Sequence, residues 1–442
     1  MLGVVLCAVA AWKSRRILCF AALVGGMLIG LYRGGVDQTH LAAYESYIGQ
    51  AVMLSGVIDE DPSVAGSGTH ALQLVQIQVD GRERIGTVYV TVETDEMTMR
   101  RSDRVTMRGQ LIAGFGNFAA SMYRAEVVSA TRPVPGDVAL EARDSFAAKV
   151  RGGVDEPAAS LGVGFLLGQK SALPSTLVDA LQVAGLTHIV VASGYNLMVL
   201  VRLSRRALEK HSRYLATLAS AGLIVGFIAM TGMTSSMTRA GLVAALGLAA
   251  WYVGRRFHPV TLLVFAAAVT VLAQPSNVWG NVGWMLSFAA FAGVMIVAPL
   301  FTAYFFGKEK VPFVPQLFIE TSSAQLATLP IIVATFGNVS VVALLANLLI
   351  LPLIPFTMLL TFLTGVVGFI APVLQPLVAW PTQLVLDVIV HIVEWCASLP
   401  GAQIEWQASV WVAAGMYVIL ILGCAYVKWR TGYRLGSASV VD

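Results

Sequence analysis

Polar side chains inside long apolar runs are costly to bury, so the few present here are where chemistry would reside. Residues 185–196 read Gly-Leu-Thr-His-Ile-Val-Val-Ala-Ser-Gly-Tyr-Asn. His188, Ser193 and Asn196 place hydrogen-bonding groups in one short apolar stretch, and Ser193-Gly194 is a point where a helix can break and turn backbone dipoles towards a cavity. The same groups also serve close helix packing, with Ser and Asn bonded across helices. Residues 231–240, Thr-Gly-Met-Thr-Ser-Ser-Met-Thr-Arg-Ala, open another apolar run with Arg239. Its guanidinium either snorkels to an interface or faces a wet path used by an anion. Ser287 in Gly283-Trp-Met-Leu-Ser-Phe288, Gln325 ahead of Pro330, and Asn347 ahead of Pro352 repeat the theme. Recurrence in successive apolar runs points to a polar route or a discontinuous-helix site.

A second group lies in a polar segment. Arg100, Arg101, Arg104, Arg108 and Arg124 fall near Tyr89, Phe115, Phe118 and Tyr123. Arginines for phosphates with aromatics for bases is the chemistry of sequence-independent single-strand binding. The competing reading is a barrel core, where most aromatics of β-domains go.

Other chemistries are missing from the sequence. There is no HExxH, no Walker A and no GxGxxG unit, and Ser193 is not in a GxSxG elbow. Cys7, Cys19, Cys396 and Cys424 sit in apolar stretches without CxxC spacing. Asp387, His391 and Glu394 share one helical face, a polar stripe that suits an interfacial helix better than a metal site. Neither a catalytic group, a metal nor a cofactor is expected.

The elements that carry these residues follow from composition. Of 442 residues 57% are hydrophobic and only 12% charged, with mean hydropathy +0.75. That excludes an ordinary soluble enzyme and indicates a polytopic α-helical membrane protein. Residues 36–150 hold 15 acidic and 10 basic side chains, a net charge of −5, whereas the remainder carries +9. Residues 1–35 read as a transmembrane hairpin. Residues 36–135 read as a small β-domain, with strands at 52–57, 71–79, 86–93, 104–112 and 122–130. Five strands in this length suit an OB-like barrel; a five-strand sandwich is the competitor. Residues 136–186 read as amphipathic linker helices, with 161–167 too short to span. About 10–12 hydrophobic helices are expected in all, some broken, re-entrant or interfacial, with the main transmembrane domain at 187–430 and a short tail at 431–442.

Loop charge orients the chain. The turn bearing Arg202, Arg205, Arg206, Lys210 and Arg213 is the most basic, so it is expected in the cytoplasm and the β-domain outside. Arg255, Arg256, Lys308 and Lys310 then fall inside as well. Five full crossings after Lys310 would leave Lys428, Arg430 and Arg434 outside, so one segment should not cross; 384–399 is the candidate.

Taken in order, these motifs resemble the ComEC-type competence proteins, in the form lacking a metallo-β-lactamase-like domain. Leu166-Leu-Gly168 before Lys170, His188 with Ala192-Ser193-Gly194, Thr231-Gly232 through Arg239-Ala240, and Gly283 with Leu286-Ser287-Phe288 match the family's segments. Leu329-Pro330, Phe336-Gly337, Ser340 and Ala346-Asn347 with Pro352 match the stretch that follows. Asn196 stands where the family usually has His, Gln169 where Asp is common, Trp284 for Phe and Met285 for Gln. The resemblance implies passage of single-stranded DNA across the cytoplasmic membrane during natural transformation. It also implies a separate DNA receptor, nuclease and cytoplasmic helicase as partners, alongside membrane lipids. His188, Ser193, Gly194, Asn196, Arg239, Ser287, Gln325 and Asn347 would then line or shape the path, and the arginines named above with Tyr89 and Tyr123 would capture DNA. A secondary transporter of small anions and a lipid or polymer flippase are the alternatives.

Overall fold

The computed structural model describes residues 15–66, 69–94, 99–169, 173–190, 194–232, 234–254, 258–307, 309 and 311–433. Helix α1 (Arg15–Ala42) leads into the β-domain. Strands β1 (Ala51–Ile58), β3 (Thr69–Val79), β5 (Val88–Glu93), β6 (Arg104–Ala113) and β7 (Ala120–Met122) close on themselves in the order β1-β3-β5-β7-β6-β1. Every pairing in the ring is antiparallel except β5 with β7, which runs parallel. This is a five-strand barrel. Short β2 (Ser63–Gly66) and β4 (Arg82–Arg84) add to β3, and β8 (Glu126–Thr131) adds to β6. Alternation fills the inside: Val52 and Leu54, Leu72 and Leu74, Val88 and Val90, and Val105 and Met107 are all buried. The strand read at 122–130 is two strands, because Arg124 adopts φ +53° and ends the extended run.

Helices follow: α2 (Val138–Arg151), α3 (Ala158–Leu167), α4 (Ser175–Val183), α5 (Thr187–Val190), α6 (Gly194–Leu208), α7 (Arg213–Thr231), α8 (Ser235–Val253) and α9 (Pro259–Ala273). Then come α10 (Val282–Ala292), joined through a π turn (Gly293–Val297) to α11 (Ala298–Phe306), and α12 (Phe313–Thr335). The last are α13 (Ala343–Ile350), α14 (Ile354–Ile370), α15 (Gln375–Ser398) and α16 (Val410–Thr431). Among the described residues six helices are long and apolar enough to cross a membrane. The pair α13–α14, bent by 51° where Pro352 and Pro355 interrupt it, makes a seventh if counted as one span. The chain is a multi-pass membrane protein with a β-barrel near its N-terminus.

Two expectations change. Residues 158–167 are not part of a linker. All ten residues of α3 are buried, and they belong to a core cluster with α4, α5, α13, α14 and α15. Small residues permit this. A Cβ on Gly162 would meet Thr361 and Leu386, and one on Gly365 would overlap the Phe146 ring. Nor is residues 384–399 a separate interfacial helix. It is the later part of α15, a 24-residue helix packed on α14 through a Thr364–Thr382 hydroxyl contact of 2.8 Å. β9 (Asn338–Ser340) pairs with β10 (Gln403–Glu405), so α13–α14 and α15 leave and return to one place as a hairpin. Counted as one span, the bent α13–α14 pair removes the parity conflict without an interfacial segment.

Candidate functional site

The barrel stands over particular helix ends. Helices leave their last four carbonyls without intrahelical partners. Arg101 donates to the Ala229 and Met230 carbonyls at the end of α7, at 2.9 and 3.1 Å. Arg33 of α1 donates to the Leu272 and Ala273 carbonyls at the end of α9, both at 2.9 Å. Gly116, in the β6–β7 loop, lies so close to Gly280 ahead of α10 that neither position has room for a side chain. The ends of α7 and α9 and the starts of α8 and α10 therefore lie at the barrel.

The arginines expected to bind DNA divide. Arg101 is 6% exposed, ion-paired with Asp137 at 2.8 Å and committed to the α7 carbonyls, so it is a structural joint. Arg100 pairs with Asp144 at 3.3 Å and Arg124 with Glu93 at 2.7 Å. The dense acidic composition of the domain explains this, since each of these arginines has an acid within reach. Arg104 and Arg108 are exposed on the outer face of β6. Burial works to raise the Asp137 carboxyl, but hydrogen bonds from the Leu140 N–H, Arg101 and Ser102 outweigh it and hold it below the ordinary carboxylate range. Arg143 adds a second joint from α2 to Asp61 of the barrel and to its neighbour Asp144.

The aromatics do come together, and on the outside. Tyr89 projects from β5 between buried Val88 and Val90. Its ring centroid lies 5.1 Å from Phe115, 5.4 Å from Phe118 and 6.2 Å from Tyr123. Phe115 is 47% and Tyr123 50% exposed. Phe115 and Phe118 flank Gly116, so the cluster borders the start of α10. Arg104 and Arg108 sit two strands further round the barrel, on β6.

The apolar-run residues fall into two groups. Asn196 is fully buried and donates from Nδ2 to the Phe165 carbonyl at 2.9 Å and the Ile189 carbonyl at 3.3 Å, tying α6 to the ends of α3 and α5. Gly194 brings α6 against Ala240 of α8. Arg239, 5% exposed, is in the second turn of α8. It donates to Ser236 Oγ at 3.1 Å, and its guanidinium carbon lies 5.1 Å from the Phe288 ring centroid. No carboxylate pairs with it among the described residues. Ser287 is half-buried on α10 beside Phe288, and His188 is exposed on α5. Ser193 lies outside the described residues. Asn347 is buried in the other cluster, donating to Ala343 of its own helix at 2.8 Å. Gln325 is half-buried on α12, next to Ser323 and Ala324, whose backbone presses on Gly293 at the π turn.

Arg33 was not singled out by sequence, and Phe288 entered only as the end of the Gly283–Phe288 motif. Arg33 ends an apolar run like any interfacial arginine, and Phe288 looks like core. Two departures gain a physical account. Trp284 donates from Nε1 to Thr270 Oγ1 at 2.9 Å, a bond Phe has no group to make. Gln169 accepts from Arg151 at 3.0 Å in the neighbourhood of Asp144, where a second carboxylate would face repulsion.

The family model described as competence protein matches residues 165–430, well over half the chain. The chain belongs to the competence protein family. The match starts inside α3, in keeping with the burial of that helix among α4, α5, α13, α14 and α15. This competence protein is 24% identical over 205 residues to "ComE operon protein 3" of Bacillus subtilis (strain 168), covering 45% of this chain and 25% of that protein. The alignment thus spans about a quarter of the relative's length. No solved structure matches the chain.

Proposed function

We propose that this competence protein passes a single strand of DNA across the cytoplasmic membrane, entering from the barrel side. Family membership and the curated relative support a role in competence and DNA uptake. The observation that carries the finer reading is the partly exposed cluster of Tyr89, Phe115, Phe118 and Tyr123 set against the start of α10. Buried aromatics would have served the barrel alone. Exposed ones offer π-faces that any base can stack on, which is how single strands are held without sequence readout. The barrel order, with its one parallel pair closing the ring, is consistent with an OB-like fold, a common platform for oligonucleotides. Arg104 and Arg108 supply exposed cations for phosphates.

Beyond the platform, Arg239 provides a buried positive charge four residues into a helix whose N-terminal dipole has the same sign. Both favour a phosphate passing the barrel end of α8. A small anion would be drawn to Arg239 equally well; the aromatic cluster favours the nucleic acid. Arg202, Arg206, Lys210 and Arg213 lie at the opposite ends of α6 and α7, and Lys428 and Arg430 end α16. The positive-inside rule then assigns the barrel to the extracytoplasmic side. The driving force would come from a cytoplasmic motor, after delivery by a receptor.

The test is Arg239→Ala in cells taking up labelled DNA. Internalised DNA should fall about tenfold or more at equal membrane-inserted protein, as removal of a buried charged hydrogen bond worth about 1.5–3 kcal/mol implies. Unchanged internalisation would remove Arg239 from the path.

A further inference from the structure

Two arginines far apart in sequence play the same part. Arg33, before the barrel, and Arg101, within it, each place two donors on consecutive last-turn carbonyls of a membrane helix. The helices are α9 and α7. The turns that follow lead into α10 and α8, and those are the helices that bring Phe288 and Arg239 face to face at 5.1 Å. A planar guanidinium fork fixes both the position and the direction of the carbonyls it grips, which a single flexible donor does not.

Arg101 holds the end of α7, and a Cβ on Gly232 would sit 3.2 Å from its guanidinium. Thr234 caps α8 by accepting from the Met237 N–H at 3.2 Å, two residues before Arg239. On the other side Arg33 holds the end of α9, Asn277 donates to the Thr270 carbonyl at 3.3 Å, and Asn281 bonds Asn277 while capping α10 at the Trp284 N–H. Phe288 is one turn beyond Trp284. Each arginine therefore grips the helix end that immediately precedes the helix carrying one half of the Arg239–Phe288 pair.

At the Arg101 joint, charge does not account for the arrangement. Asp137 pairs with Arg101, and it also caps the start of α2 by accepting from the Leu140 N–H at 3.0 Å. The cation, the carboxylate and the two opposed helix ends leave that joint close to neutral. What the joint supplies is geometry.

We propose that Arg33 and Arg101 are positioning residues that set the separation of Arg239 and Phe288, and so govern passage past that pair without touching the strand. The proposal rests on the channel reading given above. The test compares Arg33→Gln and Arg101→Gln, each alone and combined with Arg239→Ala, at equal amounts of membrane-inserted protein. Glutamine keeps one donor nitrogen for a carbonyl but lacks the charged guanidinium fork. In the chain with Arg239, each variant should lower DNA internalisation about tenfold while surface-bound DNA is unchanged. In the Arg239→Ala background the further decrease should be under about twofold, the non-additivity of residues that act through one another. Arg101→Lys should recover internalisation only in part. Arg33 is only half-buried, so Arg33→Gln carries the test if Arg101→Gln fails to insert. Normal internalisation by Arg33→Gln, or decreases that multiply with that of Arg239→Ala, would overturn the proposal. A strain deleted for the whole gene that still internalises DNA would instead overturn the channel reading itself.

Discussion

Asn196 offers a test of the membrane core that depends on the sign of one interaction. Its side-chain amide donates to two carbonyls, Phe165 at 2.9 Å and Ile189 at 3.3 Å, and both carbonyls belong to the ends of short helices. Such carbonyls have no intrahelical partner. Replacing Asn196 by Ala removes both donors in a fully buried place. Hydrogen bonds between membrane helices average about 0.6 kcal/mol by double-mutant cycles, and stranding a buried acceptor costs about 1–3 kcal/mol. Asn196→Ala should therefore destabilise by about 1–3 kcal/mol. Asn196→Asp is nearly the same size but puts acceptor oxygens against two acceptors. It must either bury a charge or take up a proton, and should cost several kcal/mol more. Asn196→His, the residue the family resemblance leads one to expect here, keeps one ring donor and should lie between wild type and Ala. The assay is thermal unfolding of the purified full chain in one detergent, with the order wild type, His, Ala, Asp from most to least stable. Asp as stable as Ala would refute the donor role of this side chain, whatever the absolute values.

Further outcomes follow from the barrel. Tyr89→Ala and Phe115→Ala should each weaken single-strand oligonucleotide binding about tenfold, by removal of one stacking surface worth about 1–3 kcal/mol, read by fluorescence anisotropy on the reconstituted protein. Replacing Arg104 and Arg108 by Gln should flatten the dependence of log K on log salt by about 0.7 for each phosphate no longer neutralised, with little change in unfolding temperature. Asp137 is held below its unfolded pKa, so its contribution is fully present above about pH 4 and disappears as pH falls through the folded value. Asp137→Asn should thus lower barrel stability at neutral pH and show a smaller further decrease on acidification; equal acid sensitivity of the two proteins would contradict the joint.

Much of the fold is legible in the residues because it rests on local pattern. Alternation in 71–79 and 104–112 reproduces β3 and β6 within two residues at each end. Hydropathy finds the long helices. What stays hidden is tertiary. Nothing local in residues 158–167 distinguishes a short surface helix from one buried on all sides, because only its neighbours supply the burial. The 51° bend between α13 and α14 turns two apolar runs into one path, and Pro352 and Pro355 mark the break without giving its angle. The candidate site divides the same way. Aromatics near each other in sequence do form one cluster, since β5 and the β6–β7 loop are adjacent through β7. Arginines near each other do not share a role: Arg100, Arg101 and Arg124 are taken by acids, and Arg101 reaches a helix end 128 residues away. Composition shows that acids are abundant but not which arginine each one meets.

The central claim is transport of DNA past the membrane helices, and separating binding from internalisation tests it most directly. In a strain deleted for this gene, labelled linear DNA should still accumulate at the cell surface, yet none should reach a state protected from external nuclease, and recombinants should vanish. Restoring the gene should restore both. Wild-type amounts of nuclease-protected DNA in the deletion strain would contradict the account.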